Sequence, residues 1–222
     1  MMYKNILLAL TEYIKFIFYI FFPPFCIGCK QYTIDNNEIL CSECQIQIYP
    51  LISKKIQITK KKSVVVHCIG KYETVLQKLI LAKKHRSIIT SKYLGLFAGN
   101  FLKTKNIKFD FLVPIPLHWT RFASRGYNQA DEISSGISEI LKIPVANILA
   151  RPYKTKPQTE CSFKERITNI KGKIILKNTA LKNGHILLID DVMTTGATIK
   201  EASKVLLSHG YQVTVFVIAR TT

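Results

Sequence analysis

The segment 185–202, HILLIDDVMTTGATIKEA, constrains the fold of this chain more than any other. It opens with a continuous apolar run at 186–189, which predicts a short strand buried on both faces. Asp190 and Asp191 end that run. Small and hydroxyl-bearing residues follow at 194–198 (TTGAT), and apolar residues at helical spacing come after them. The segment therefore predicts a strand, a turn and a helix, with two carboxylates at the end of the strand.

This layout is typical of a phosphate site. A turn that enters a helix presents free backbone N–H groups and the positive end of the helix dipole to an anion. Gly196 lets the backbone approach a ligand closely, and the threonine hydroxyls add donors. Adjacent acids at a strand end also stabilise a following helix by charge alone, and that structural role is the alternative for Asp190 and Asp191.

The composition limits the class of protein. The chain has 222 residues, is 48% hydrophobic and carries a formal charge of +18. A chain of this length and apolar content folds around a sizeable core and is not disordered. The charge suggests an anionic partner such as nucleic acid, a phosphorylated metabolite or an acidic membrane, or else a solubilising basic surface.

Four of the six cysteines form two CxxC pairs separated by eleven residues. Each pair places two thiolates on one side of a tight turn, and two pairs complete a tetrahedral zinc site. A pair of disulfides is the alternative. No small-residue cleavage motif follows the apolar start, so we expect a reducing cytoplasm, which favours zinc. The predicted zinc ligands are Cys26, Cys29, Cys41 and Cys44.

The chain begins with a strongly apolar stretch at 6–22. It is close to the minimum length for a membrane span, but Glu12 and Lys15 interrupt it and two prolines end it. We expect a helix that packs on the rest of the protein. The second interpretation of this stretch is a helix at the membrane interface, and the third is a helix that spans the membrane.

Short strands and a lysine run follow the cysteines, and we predict two domains, 1–62 with the apolar helix and zinc module and 63–222 as the main domain. Strands alternate with helices along 63–222, which predicts an α/β fold with a mostly parallel sheet and helices on both faces. Ligands of such sheets bind beyond the carboxyl ends of the strands. Neither a P-loop nor a dinucleotide-binding glycine motif is present. The predicted strands are 64–69, 110–113, 186–189 and 211–219; the predicted helices are 73–84, 88–103 and 128–141.

A second informative stretch is 114–130, PIPLHWTRFASRGYNQA, in which a strand gives way to a loop and then a helix. Arg121 and Arg125 lie in the predicted loop and could bind a second phosphate group, although such a pair is often only surface charge. The polar, basic segment 151–173 has no clear periodicity. We expect a mobile lid over an anionic substrate or a disordered loop there.

The segment 188–198 resembles the PRPP (phosphoribosyl pyrophosphate) binding motif of type I phosphoribosyltransferases. Together with the cysteine pairs, further landmarks make the chain similar to the ComF family. These landmarks are 113–118 (VPIPLH), 125–130 (RGYNQA), 156–158 (KPQ), Arg166 with Asn169, and 217–220 (VIAR).

The resemblance implies a type I phosphoribosyltransferase-like fold with an N-terminal zinc module. It also implies roles for individual residues. The backbone of Thr194, Thr195, Gly196, Ala197 and Thr198 would hold the 5-phosphate. Asp190 and Asp191 would accept the ribose hydroxyls and favour the cationic centre that develops at C1. Arg121 and Arg125 would hold pyrophosphate with Mg²⁺, and Arg166 would belong to a hood over the site.

Two hypotheses follow from the resemblance. In the first, the protein is an enzyme that transfers a phosphoribosyl group. In the second, it binds PRPP or single-stranded DNA without turnover and acts as an uptake accessory. A phosphoribosyltransferase of nucleotide metabolism, unrelated to competence, is a further alternative. The family is associated with DNA uptake in natural competence, so the expected partners are PRPP, single-stranded DNA, and the competence machinery or the inner-membrane surface. We expect a cytoplasmic protein, peripheral to the inner membrane in the membrane-associated reading.

Overall fold

The computed structural model describes residues 25–33, 39–48, 52–81, 87–105, 107–153, 170–177, 181 and 183–221. It divides into two compact units between Gln47 and Ile48. The apolar stretch 6–22 and most of the basic segment 151–173, with Arg166, lie outside the described residues, so the predictions on them remain predictions. Among the described residues, no helix combines the length and apolar character needed to cross a membrane.

The N-terminal unit is built around the two cysteine pairs. Phe25 and Tyr32 form an isolated antiparallel bridge around the first pair. A short helix, α1 (Ser42–Ile46), carries the second pair near its start. Leu40 is fully buried and supplies apolar packing beside the cysteines. A unit this small needs a staple beyond its core, which a metal ion would provide.

The second unit contains a five-stranded sheet with the order β1-β2-β7-β6-β3. Strands β2, β7, β6 and β3 are parallel, and β1 pairs antiparallel with β2. A separate two-stranded antiparallel sheet joins β4 to β5. The strands are β1 (Ile52–Gln57), β2 (Ser63–Lys71), β3 (Phe111–Pro114), β4 (Leu149–Ala150), β5 (Ile175–Leu176), β6 (His185–Met193) and β7 (Gln212–Arg220).

Helices cover this sheet and bury the interior strand β6 on both faces. Ile186 and Leu188 share a core cluster with residues of α6 (Ala197–Ser208), while the alternate residues Leu187 and Ile189 are also fully buried on the opposite face. Helix α5 contacts both β6 and β3. The helices of this unit are α2 (Thr74–Leu81), α3 (Ser87–Lys103), α4 (Trp119–Arg125), α5 (Gln129–Leu141) and α6 (Ala197–Ser208). The predicted α/β fold with a mostly parallel sheet is confirmed.

Helices α3 and α5 pack unusually closely. A Cβ atom on Gly95 would collide with the carbonyl oxygen of Ile133, and one on Gly136 would lie 2.5 Å from the carbonyl oxygen of Lys92. These two glycines allow the backbones to touch, and α5 is thereby held against β3 and β6.

Three features differ from the sequence prediction. Residues 52–57, which we assigned to the N-terminal module, form β1 and pair with β2, so the two units divide earlier than the predicted boundary at residue 62. The predicted loop that carries Arg121 and Arg125 is helix α4. Strand β6 does not end at the acids but continues through them to Met193, because β7 offers pairing partners as far as Arg220.

Candidate functional site

The turn between β6 and α6 forms a small cradle. Gly196 has a φ of 71° and is the N-cap of α6, where it provides no side-chain hydrogen bond to the helix. The Oγ1 atom of Thr195 accepts a hydrogen bond from the N–H of Ala197 at 3.2 Å. A small cleft is lined by Asp190 and by residues 192–199. The start of a helix and a left-handed glycine are the elements of an anion site.

Asp190 and Asp191 lie just before this cradle and are half-buried. The N–H of Asp191 donates to Asp190 Oδ1 at 3.0 Å, and the N–H of Val192 donates to Asp191 Oδ1 at 2.7 Å. Each carboxylate therefore accepts a backbone hydrogen bond that holds its side chain in place. The remaining carboxylate lone pairs can accept hydrogen bonds from a ligand.

A cavity of about 610 Å³ brings the predicted residues together at the carboxyl ends of β3 and β6. Both acids line it, together with residues of the β6–α6 turn and of α4. This is the place where ligands bind in open parallel sheets. The predicted site residues in its wall are Asp190, Asp191, Thr194, Thr198, Arg121 and Arg125. Thr195, Gly196 and Ala197 line the adjoining small cleft.

Helix α4 presents the two arginines from one side, since residues four apart share a helix face. His118 caps α4 by accepting a hydrogen bond from the N–H of Thr120, and Gly126 ends it in a left-handed conformation. The Arg125 guanidinium donates to Gln129 Oε1 at 2.8 Å. The helix and this hydrogen bond orient Arg125 where the sequence predicted only a loop.

Arg151 also lines the cavity, and the sequence analysis missed it. Its side chain is buried, and it directly follows the last residue of β4. The available signal was an arginine at a strand end, but β4 has two residues, too few for a periodic pattern. Burial lowers the pKa of Arg151 to about 10, aided by the positive charge of Arg121 and opposed by the negative charge of Asp190.

Burial dominates the electrostatics of the two acids. Burial raises the pKa of Asp190 well above its usual range, and the charge of Asp191 adds to this, while Arg151 opposes it. Burial also raises the pKa of Asp191, against the hydrogen bond from Val192 and the charge of Arg125. Two adjacent carboxylates are thus kept in a position that is costly for the folded protein.

The four predicted zinc ligands converge in the N-terminal unit. Their Sγ atoms all lie within 4.8 Å of one another, and those of Cys29 and Cys41 are 3.7 Å apart. The N–H of Cys41 approaches Cys26 Sγ at 3.4 Å. Burial raises the pKa of Cys26, but hydrogen bonds from the backbone of Cys29 and Cys41 outweigh it and bring that pKa to about 6. Four thiol groups, one of them readily deprotonated, fit a structural Zn²⁺.

The side chains of the large cavity that could bind a metal ion differ from the thiols of the zinc site. Its described wall contains two acidic side chains, Asp190 and Asp191, with no histidine or third acid beside them. Mg²⁺ commonly keeps several waters and is bound through one or two carboxylates and the substrate's phosphates. The residues therefore suit Mg²⁺ that arrives with a phosphorylated ligand, and the acids are the groups that would hold it.

Comparison with known proteins agrees with this fold. The phosphoribosyl transferase domain model matches residues 95–221. The adenine phosphoribosyltransferase of Leishmania tarentolae aligns with a TM-score of 0.40 and 14% identity over 75% of this chain and 94% of its own. That likeness is too low to add to the assignment. The family match defines a protein of the type I phosphoribosyltransferase class.

Two relatives narrow the class. Competence protein F of Haemophilus influenzae is 30% identical over 221 residues, which cover 86% of this chain and 94% of that protein. Competence protein ComFC of Bacillus subtilis is 33% identical over 114 residues, covering 51% of this chain and 45% of that protein. The chain belongs to the ComF family of proteins with a phosphoribosyltransferase domain.

We predict that the purified protein carries one equivalent of zinc, measured by elemental analysis. Cys44→Ser should remove it, because three thiolates and a hydroxyl bind zinc far more weakly than four thiolates. Cys68→Ala is the matched control, since Cys68 is a buried cysteine of β2 outside the cluster. A well-folded protein without metal would contradict the prediction.

We also predict that Asp190→Asn stabilises the ligand-free protein at pH 7. The folded pKa of Asp190 is raised above its unfolded value near 4, so its ionisation costs stability increasingly as the pH rises from about 4. Asparagine keeps the acceptor for the Asp191 N–H and removes that cost. Thermal unfolding should show a gain of about 2–4 °C for each kcal/mol relieved.

The gain should shrink as the pH falls toward about 4 and disappear below it, where the wild-type carboxyl is protonated in both states. Glu139→Gln serves as the control, because Glu139 is an exposed acid in a surface ion pair with Lys92. Equal melting temperatures of Asp190→Asn and wild type at pH 7 would show that the acids carry no such cost.

Proposed function

We propose that this protein binds PRPP in the large cavity and acts in the handling of incoming DNA during natural competence. One observation carries the proposal: a single cavity joins two carboxylates, the start of α6 and the arginines of α4. Those groups match the three chemical parts of PRPP, which are a ribose diol, a 5-phosphate and a pyrophosphate. The relatives named competence proteins support the biological setting.

Each part of the ligand finds a suitable group. The backbone N–H groups of 194–198 and the dipole of α6 would bind the 5-phosphate. Carboxylates are acceptors and repel phosphates, so Asp190 and Asp191 suit the ribose hydroxyls. Arg121 and Arg125 would hold the pyrophosphate, because guanidinium groups bind phosphate oxygens in a bidentate manner. Arg151 adds a third positive charge in the same wall.

The same arrangement supports transfer of the phosphoribosyl group. An acceptor nucleophile would form a bond to C1 of the ribose while the bond from C1 to pyrophosphate breaks, and the electron pair leaves with the pyrophosphate. The arginines would stabilise the charge on the departing group, and the acids the positive charge that develops at C1. Bound Mg²⁺ would supply further charge neutralisation on the pyrophosphate. The predicted hood residue Arg166 belongs to this proposal as well.

We predict Mg²⁺-dependent binding of PRPP in calorimetric titrations. Asp190→Ala combined with Asp191→Ala should weaken binding at least about 10-fold, the loss of roughly 1.4 kcal/mol from hydrogen bonds to charged acceptors. Asp110→Ala provides a control acid, since Asp110 lies before β3 and accepts a hydrogen bond from the N–H of His185. Unchanged affinity in the double variant would remove the PRPP site. Pyrophosphate release with bases or single-stranded DNA as acceptors would separate a transferase from a binding protein.

A second candidate is a non-catalytic accessory protein that binds single-stranded DNA. The formal charge of +18 favours it, since a large positive charge attracts nucleic acid. In this reading the protein works in the cytoplasm, with the competence machinery or at the inner-membrane surface. The same charge would attract anionic lipid there. PRPP binding and DNA binding are compatible in one protein.

For this candidate we predict that the protein binds single-stranded DNA at low salt, with an affinity that falls linearly on a log–log plot against salt. The slope should be roughly −0.7 for each phosphate neutralised. Arg121→Gln with Arg125→Gln should make the slope shallower if these arginines contact the strand. Fluorescence anisotropy of a labelled oligonucleotide measures both quantities. An absence of binding at low salt would remove the DNA branch and leave the PRPP branch intact.

A further inference from the structure

Helix α4 separates two cavities of different chemistry. Arg121, Arg125 and the other polar residues of the helix line the large cavity described above. Trp119 and Phe122 lie three residues apart, so they share the other side of the helix. They line a second cavity of about 390 Å³. The two cavities have common walls that include Arg151.

The aromatic side of α4 is open to solvent. Trp119 is 67% exposed and Phe122 is 49% exposed. A buried His118 supports the indole from below, with ring centroids 5.7 Å apart and planes inclined by 41°. Two large aromatic rings on one helix face, held in place yet uncovered, are not explained by packing within the described residues. They offer flat apolar surfaces to a ligand.

The rest of the second cavity carries polar groups that are suited to a base. Asn147 and Lys177 are exposed in its wall, and Asp131 is half-buried there. A carboxylate accepts hydrogen bonds from an exocyclic amine or a ring N–H of a base, and an amide offers both donors and acceptors. Lys177 and Arg151 add positive charge for a phosphate. The second cavity thus combines aromatic rings for stacking, groups that can hydrogen-bond to the edge of a base, and positive charges.

We propose that the Trp119–Phe122 face of α4 and the second cavity form a base-stacking site for single-stranded nucleic acid. This inference rests on the proposed handling of single-stranded DNA and gives it a location. Bases would stack on the two rings, and the strand's phosphates would meet Arg121 and Arg125 across the helix and Arg151 and Lys177 beside it. Sites for single strands combine aromatic platforms with a basic groove in this way.

The exposure of the rings favours a strand over a free base. Small-molecule sites bury most of their ligand's surface, whereas these rings stay largely in solvent. The positive side chains on both sides of α4 also favour a polyanionic ligand over a neutral base. A strand satisfies both groups at once.

The single tryptophan of the chain is Trp119, so intrinsic tryptophan fluorescence reports on this site alone. Oligo(dT) of about 12 nucleotides, titrated into the full-length protein at low salt, should quench that fluorescence in a saturable manner. An abasic phosphate chain of the same length should bind more weakly and leave the fluorescence unchanged. Quenching by the abasic chain equal to that by oligo(dT) would overturn the proposal.

Variants test the aromatic contribution by anisotropy of a labelled oligo(dT). Trp119→Leu and Phe122→Leu keep apolar area but lose the ring, and each should weaken binding on the order of 10-fold. Trp119→Phe should restore most of the affinity lost in Trp119→Leu. Ile89→Ala is the matched control, because Ile89 is an apolar residue of α3 with 64% exposure. This variant should bind oligo(dT) with the affinity of the wild-type protein. Full affinity in both leucine variants would refute the stacking site.

Two further outcomes separate this inference from the proposed function. If free thymidine quenched the fluorescence at the same concentration as oligo(dT) does, the site would be assigned to a free base. That result would overturn the strand proposal. An absence of any oligonucleotide binding would overturn both this site and the DNA branch. The calorimetric PRPP titration of the wild-type protein tests the PRPP branch independently of either result.

Discussion

The position of β6 between β3 and β7 is the constraint on which the rest of the structure depends. Both neighbours run parallel to it, so the carboxyl ends of three strands meet at one edge of the sheet. Ile186–Ile189 are fully buried, and the register of the strand is set by its two neighbours, since Leu188 pairs with Val113 of β3 and with Val215 of β7. That register decides where Asp190 and Asp191 emerge. The cradle of α6 and the helix α4 are placed relative to the same edge.

Close packing on one side of the sheet reinforces this geometry. The glycines of α3 and α5 let the two helices touch, and α5 in turn contacts β3 and β6. Asn128 begins α5 by accepting from the N–H of Ala130 and donates to the carbonyl of Ile115. The chain after β3 is thereby tied to the start of α5. Helix α4 spans the segment between these two points and carries both arginines.

The parts that could be predicted from the sequence have strong local signals. The run 186–189, the glycine-containing turn and the helix after it combine three periodic or conformational patterns within eighteen residues. The spacing of the cysteine pairs is enough to predict that their four thiols converge. Helix α4 carried no such signal, because seven residues complete only about two turns and its apolar residues do not face the core. Because we predicted a loop for this segment, the sequence did not reveal that α4 has one side with arginines and another with aromatic residues.

Long-range contacts explain the remaining differences between the sequence prediction and the structure. Whether Ile52–Gln57 belongs to the first or the second unit depends on its pairing with β2, which local sequence does not encode. Arg151 enters the cavity because β4 pairs with β5, two strands of two residues each that lie far apart in the chain. Both cases concern pairing partners, whereas periodicity reports only on the face that a segment buries.

The site concentrates opposite charges in a protein whose net charge is strongly positive. Burial raises the pKa of both Asp190 and Asp191, the charge of Asp191 raises that of Asp190 further, and the nearest arginines only partly offset this. A core of the same shape with neutral side chains would be more stable, so the acids are maintained at a cost to folding. Such a cost is expected where side chains serve a ligand, since a bound diol would satisfy the same acceptors that burial leaves underused. In the proposed function, the acids and the arginines would complement a ligand whose hydroxyls lie between two phosphate-bearing ends.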